Sequence, residues 1–310
     1  YGRLGLGDSS SHSTLKKIPF DCKIKKIASS KGSDGHTLAL SETGQIYSWG
    51  DGDFGKLGHA NCLTQRQPKL VEGPLQHLKV VSVSVGYRHS AAVTSDGRLY
   101  IWGEGDMGRL GLGDDMSRHV PTLITELTGV GSVACGENHT LVLSADGKTV
   151  WSFGCGEGGK LGHGDTSNRY RPTVIESIQG LYIKKVVAGN QFSLALSSHG
   201  SVLAWGYGSC LGNGSSDNLC PIPSPVEDLS SLHVIDVAAG QEHCVAVTHD
   251  SHVLSWGVNS NGQCGLGHST SPVLRPRRVV CLEGAPIHQV STGANHSVAW
   301  TSPPLDRYRI

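Results

Sequence analysis

Three glycine-rich stretches and a row of histidines are the places where this chain could do chemistry. Gly50-Asp-Gly52-Asp-Phe-Gly55, Gly103-Glu-Gly105-Asp-Met-Gly108 and Gly154-Cys-Gly156-Glu-Gly-Gly159 all fit G-x-G-x-x-G, the spacing that lets backbone amides approach a pyrophosphate where a strand turns into a helix. None opens a helix-patterned segment in a βαβ unit, so a dinucleotide site is not expected. Gly50 to Lys56 and Gly154 to Lys160 come near a phosphate-binding loop, but Leu57 and Leu161 stand where a hydroxyl would meet magnesium. Asp51 and Asp53 look like the opening of a calcium loop, yet Gly55 replaces a ligand and the closing glutamate is missing.

His36, His89, His139, His243 and His296 each precede a short run of small or β-branched residues, and Phe192 precedes another. A metal centre or a catalytic base would need unlike groups gathered at one point. Here like residues are spread along the chain, one of them replaced by phenylalanine, which fits turn-holding hydrogen bonds better. No nucleophile, base and orienting group can be assembled. No catalytic residue, metal site or cofactor is therefore expected.

The elements that position these residues repeat. The steps between the histidines, with Phe192 filling the gap, are 53, 50, 53, 51 and 53 residues. Trp49, Trp102, Phe153, Trp205 and Trp256, each followed by glycine, keep the same beat, as do Pro68, Pro121, Pro172, Pro225 and Pro276. Each repeat reads as four short strands. An alternating first strand such as 81–85 has small residues suited to a crowded inner position. A Gly-x-x-His turn leads to the second strand, and an Asp-Gly turn (Asp96-Gly97, Asp146-Gly147) supplies the positive φ of a tight hairpin. The third strand ends in Trp-Gly. A glycine-rich loop then leads to a proline-led fourth strand, which proline's missing donor places at an edge. Radially repeated four-stranded antiparallel sheets make a β-propeller, and no segment sustains the 3.6-residue period of a helical solenoid.

Composition agrees with an all-β protein: 42 glycines and 13 prolines stand beside 37% hydrophobic residues. Lys+Arg and Asp+Glu are 26 each, without the basic excess of a nucleic-acid binder; Arg275, Arg277 and Arg278 read as a solvated strand face. The nine cysteines include no C-x-x-C pair, so a disulfide framework or structural zinc site is not expected, and a reducing, cytoplasmic setting fits, including the cytosolic face of endomembranes. The N-x-S/T triplets at Asn138, Asn213 and Asn295 carry no weight in such a setting. No apolar run approaches the length of a membrane span.

With these motifs assembled, the chain resembles the regulator of chromosome condensation repeat family. Its motifs Trp-Gly-x-Gly-x-x-Gly-x-Leu-Gly-x-Gly and Gly-x-x-His-[Ser/Thr] stand here as Trp102 to Gly113 and Gly136 to Thr140. Within the family it is similar to the first propeller of the giant HERC-type (HECT and RCC-like domain) ubiquitin ligases, through Tyr1 to Asp8, Ser30 to His36 and Asn295 to Thr301. The resemblance implies a seven-bladed ring, of which six repeats stand here. The chain opens at the end of a third-strand loop and stops after a second strand at Trp300. The expectation is a fragment of a larger polypeptide: a propeller over 1–301, short of one N-terminal repeat, and an exit linker at 302–310.

In an antiparallel meander the loop between strands one and two shares a face with the loop between three and four. That face should gather Asp34, Arg88, Asn138, Gln191, Glu242 and Asn295 from the Gly-x-x-His turns. The Trp-Gly loops should add Asp51, Asp53, Glu104, Asp106 and Glu157. Five acidic loop residues in a neutral chain would steer a basic partner; otherwise they decorate solvated loops. The resemblance implies that this face engages a small GTPase, of Arf, Rab or Ran type, and promotes nucleotide release. The family's exchange factor also inserts a hairpin for which the 50- to 53-residue spacing leaves no room. Ligase chemistry in the family needs a catalytic cysteine in a separate domain. The competing readings are a passive scaffold or substrate-recruiting module, and a lectin-like or enzymatic propeller, disfavoured by 6% aromatic content. No small-molecule substrate, nucleic acid or membrane span is expected.

Overall fold

The structure, a computed structural model, describes residues 1–301; the expected exit linker at 302–310 lies outside them. The chain forms two compact units, Tyr1–Glu157 with Asp165–Leu181, and Gly158–Gly164 with the chain from Tyr182 onward. In the first unit the strands are β1 (Ile24–Ser29), β2 (His36–Ser41), β3 (Ile46–Gly50), β4 (Gln65–Leu70), β5 (Val80–Val85), β6 (His89–Thr94), β7 (Leu99–Gly103), β8 (Arg118–Leu123), β9 (Val130–Cys135), β10 (His139–Ser144), β11 (Val150–Gly154) and β12 (Arg169–Val174). They build three antiparallel meanders, β1 to β4, β5 to β8 and β9 to β12. The second unit has β13 (Ile183–Ala188), β14 (Phe192–Ser197), β15 (Val202–Tyr207) and β16 (Leu219–Pro225) in one sheet. A second sheet holds β17 (Val234–Ala239), β18 (His243–Thr248), β19 (Val253–Gly257) and β20 (Val273–Arg278), and a pair is formed by β21 (Gln289–Thr292) and β22 (Ser297–Trp300). The sixth repeat is thus two-stranded among the described residues. The remaining regular elements there are single 3-10 turns, so no helix is long and apolar enough to cross a membrane.

The local reasons are legible in each repeat. The second strand of every four-stranded sheet is buried along its whole length, which is why it lacks polar alternation: a strand covered on both faces reads as a continuous apolar run. The Asp-Gly hairpins form as expected, with Gly97 at φ 79° and its N–H donating to Thr94 O at 2.9 Å. The fourth strand begins earlier than its proline. β4 starts at Gln65, and a register shift between Ser48 and Gly50 of β3 spans the place where Pro68 has no donor to give.

The tryptophans and histidines do more than close turns. Each Gly-x-Leu-Gly loop lies on the next repeat and offers it a backbone carbonyl. Arg3 O accepts from Trp49 Nε1 at 2.9 Å. Lys56 O accepts from Trp102 Nε1 at 2.9 Å and from Ser90 Oγ at 2.7 Å. Arg109 O accepts from Thr140 Oγ1 at 2.8 Å. In the second unit Ser193 Oγ donates to Lys160 O, Trp256 Nε1 to Cys210 O and Ser297 Oγ to Gln263 O. Trp205 is as deeply buried, but its Nε1 makes no hydrogen bond among the described residues. These bonds take up carbonyls that would otherwise be buried without a donor.

The histidines join the same interlock, which corrects the expectation that they hold their own turns. The turn is closed by backbone, Gly86 N–H to His89 O at 2.9 Å. The ring reaches the next repeat instead: His36 Nε2 meets Ser90 Oγ at 2.8 Å, His89 Nε2 meets Thr140 Oγ1 at 2.9 Å, and His243 Nε2 meets Ser297 Oγ at 2.9 Å. A Cβ on Gly86 would overlap the His89 ring, so glycine opens the motif because the imidazole lies against its Cα. His36, His89, His139 and His243 are buried, whereas His296, in the last strand pair, is exposed. Burial, with Arg109 nearby, pushes His89 down to about 3, and burial with Lys56 and His89 holds His36 well below the usual imidazole range.

Candidate partner-binding face

Within each four-stranded repeat the two loops that should share a face are hydrogen-bonded to each other. The N–H of the residue after Trp-Gly (or Phe-Gly) donates to the carbonyl of the residue before the histidine or Phe192. The pairs are Asp51 to Gly35 at 3.2 Å, Glu104 to Arg88 at 2.8 Å, Cys155 to Asn138 at 2.8 Å, Tyr207 to Gln191 at 2.9 Å and Val258 to Glu242 at 2.7 Å. In the first repeat that slot belongs to Gly35. Asp34, half-buried, stands one residue further out, in a turn of six residues between β1 and β2 where the other four-stranded repeats have three.

Asp51 and Glu104 depart from the expectation of an exposed acidic cluster. Both are buried, Asp51 at 3% exposure and Glu104 at 3%. Asp51 pairs with the fully buried Lys56 ammonium, which also donates to Asp53 O at 3.4 Å. Glu104 forms an ion pair with Arg109 at 2.5 Å and accepts a hydrogen bond from Arg88 at 3.3 Å. A carboxylate two residues after the tryptophan, with a cation five further on, makes an internal ion pair that clips the loop. The third repeat has Cys155 in place of the acid, and the buried Lys160 ammonium donates instead to Gln191 Oε1 at 2.9 Å. The five-residue spacing of Asp51 to Lys56 and of Glu104 to Arg109 was visible in sequence as a signal for this clip.

The side chains left at the surface are Asp53, Asp106 and Glu157 from the loops and Arg88, Glu242 and Asn295 from the turns, with Asn138 and Gln191 half-buried. Arg88 draws two repeats together: its guanidinium carbon lies 5.1 Å from the Phe54 ring centroid while it binds Glu104. In the second unit, a Cβ on Gly158 would lie against Gln191 and Tyr207, so the same loop meets the same turn. Phe54 and Met107, at the loop tips, were missed by a reading for charge; Met107 is 42% exposed.

An RCC1-like domain family model matches residues 1–299. The E3 ubiquitin-protein ligase HERC2 of Homo sapiens is 43% identical over 319 residues, which are 100% of this chain and 6% of that protein. The chain therefore spans a small fraction of that relative's length. The ultraviolet-B receptor UVR8 of Arabidopsis thaliana is 32% identical over 320 residues, covering 100% of this chain and 71% of the receptor. Human WBSCR16 superimposes with a TM-score of 0.76 at 22% identity, over 93% of this chain and 89% of that one. Prp20p of Saccharomyces cerevisiae, whose structure was solved with its binding properties to Gsp1p and histones, has a TM-score of 0.76 at 23% identity, over 86% of this chain and 66% of that one. Such structural likeness speaks for the fold, a β-propeller.

Proposed function

The chain belongs to the RCC1-like domain family, and from that premise we propose that it is the protein-interaction propeller of a large HERC-type ubiquitin ligase, binding a small GTPase of Ran, Rab or Arf type and promoting nucleotide release. The observation that carries this reading is the direct bonding of turn to loop in successive repeats, which presents Arg88, Asp53 and Asp106 on one surface of the first unit. Loops held on rigid strands are where binding residues concentrate. Prp20p binds Gsp1p and histones, and a basic partner suits exposed carboxylates here.

The test is release of fluorescent nucleotide from Ran, Rab and Arf GTPases mixed with the chain. Faster release from one class is the expected outcome; unchanged release from all three would sink the exchange reading. Charge reversal belongs at the exposed Asp53 and Asp106, because reversing the buried Asp51 or Glu104 would break the loop clip and confound the result.

A second reading, a passive scaffold or substrate-recruiting module, is favoured by one observation. Among the described residues every strand belongs to a repeat sheet, with no inserted hairpin. It is separated from the first by a partner whose affinity falls in Asp53→Lys/Asp106→Lys while nucleotide release is unaltered.

A further inference from the structure

Three successive Trp-Gly or Phe-Gly loops curl through one backbone conformation, and the residue at the tip has a positive φ in each: Phe54 at 60°, Met107 at 61° and Gly158 at 70°. The left-handed region strains a residue bearing a side chain and suits glycine. The third loop uses glycine there, so the loop's shape does not require anything larger. Phe54 and Met107 nevertheless occupy the two equivalent tips.

Burial does not account for them. Met107 is 42% exposed, and Phe54 is half-buried with Arg88 stacked on its ring. Each tip is preceded by an exposed aspartate, Asp53 or Asp106. Asp51 is paired inside with Lys56, and Glu104 with Arg109 and Arg88, which leaves the exposed Asp53 and Asp106 as carboxylates without an ion pair beside the tips, among the described residues. Phenylalanine, methionine and arginine are the residues that interface cores select, and methionine adapts its shape to a partner.

We propose that Phe54 and Met107 are the anchors by which the first unit grips a protein segment in which lysine or arginine alternates with aliphatic side chains. The aliphatic groups cover the two tips, and the cations meet Asp53 and Asp106. Strain at the tips is held for the sake of that contact rather than for folding. The inference rests on the protein-binding reading above but names no particular partner.

The chain has two methionines, so methyl-labelled methionine yields two resonances, assigned with Met116→Leu. The probe is a short synthetic peptide of alternating lysine and leucine, with a glutamate–leucine peptide of the same length as control. The lysine peptide should shift the Met107 methyl saturably and the control should not. The Phe54→Gly/Met107→Gly variant should bind the lysine peptide about tenfold more weakly or worse and melt at the same or a higher temperature. An unmoved Met107 methyl, equal shifts with both peptides, or a lower melting temperature in the variant would overturn the proposal. If the lysine peptide engages Met107 while no GTPase responds, the anchors stand and the GTPase reading falls. If a GTPase responds to the glycine variant as to the parent chain, the reverse holds.

Discussion

At the scale of single residues, two carboxylates two positions apart have opposite roles. Asp51 neutralises a buried ammonium, whereas Asp53 faces water. Asp51→Asn should destabilise the protein by about 3–5 kcal/mol, because it leaves Lys56 charged and unpaired in the interior. Asp53→Asn should stay within about 0.5 kcal/mol. The double variant Asp51→Leu/Lys56→Met should recover most of the loss, and urea unfolding of the three reads all of this. The histidines add a pH dependence with a definite sign. His89 and His36 are held neutral in the folded state, so the unfolded chain binds more protons below about pH 6.5. Stability is fully present above that pH and is lost as pH falls towards the folded value of His89, about 3. The slope should approach about 1.4 kcal/mol per pH unit for each such histidine. His89→Phe, which places in this slot the residue that Phe192 already supplies, should remove that histidine's share of the slope and leave the share of His36.

At the scale of elements, the repeat is a strand meander plus a loop that belongs sterically to the next meander. Ser90 stands at the junction, donating to Lys56 O and meeting His36 Nε2. Ser90→Ala should cost about 1–3 kcal/mol, since it leaves the buried His36 nitrogen without its partner. Trp102→Phe removes one donor from the same carbonyl but leaves Ser90 in place. It should cost about 1–2 kcal/mol, with Phe153 showing that the slot accepts a phenyl ring. A larger loss for Trp102→Phe than for Ser90→Ala in denaturant unfolding would contradict this division of roles.

At the scale of the whole chain, the nine thiols should report the packing as a set. Cys62 and Cys281 are exposed, while Cys135, Cys155, Cys210, Cys244 and Cys264 are buried. Burial pushes the Cys135 thiol up to about 12 and Cys264 up to about 11, so they lack both access and thiolate. A thiol reagent should modify the two exposed cysteines promptly and the five buried ones only on unfolding. Early modification of any of the five would refute the packing around it. A neutral chain with local carboxylates should also associate with a basic partner at a rate that falls with ionic strength, and Asp106→Lys should remove much of that dependence.

Sequence alone determined the repeat, its four strands, the Asp-Gly hairpins and the family resemblance. Those depend on local spacing, turn chemistry and side-chain periodicity, which are written residue by residue. It also identified which turn and which loop lie together within each repeat, because an antiparallel meander permits no other arrangement. Tertiary structure decided which charges that face displays. Asp51 and Asp53 look alike in a sequence, but the turn carrying Lys56 folds one of them inward, and burial is a property of the neighbour rather than of the residue. The same holds for the histidines, whose partners Ser90 and Thr140 lie 54 and 51 residues away and are brought within reach by the stacking of one repeat on the next.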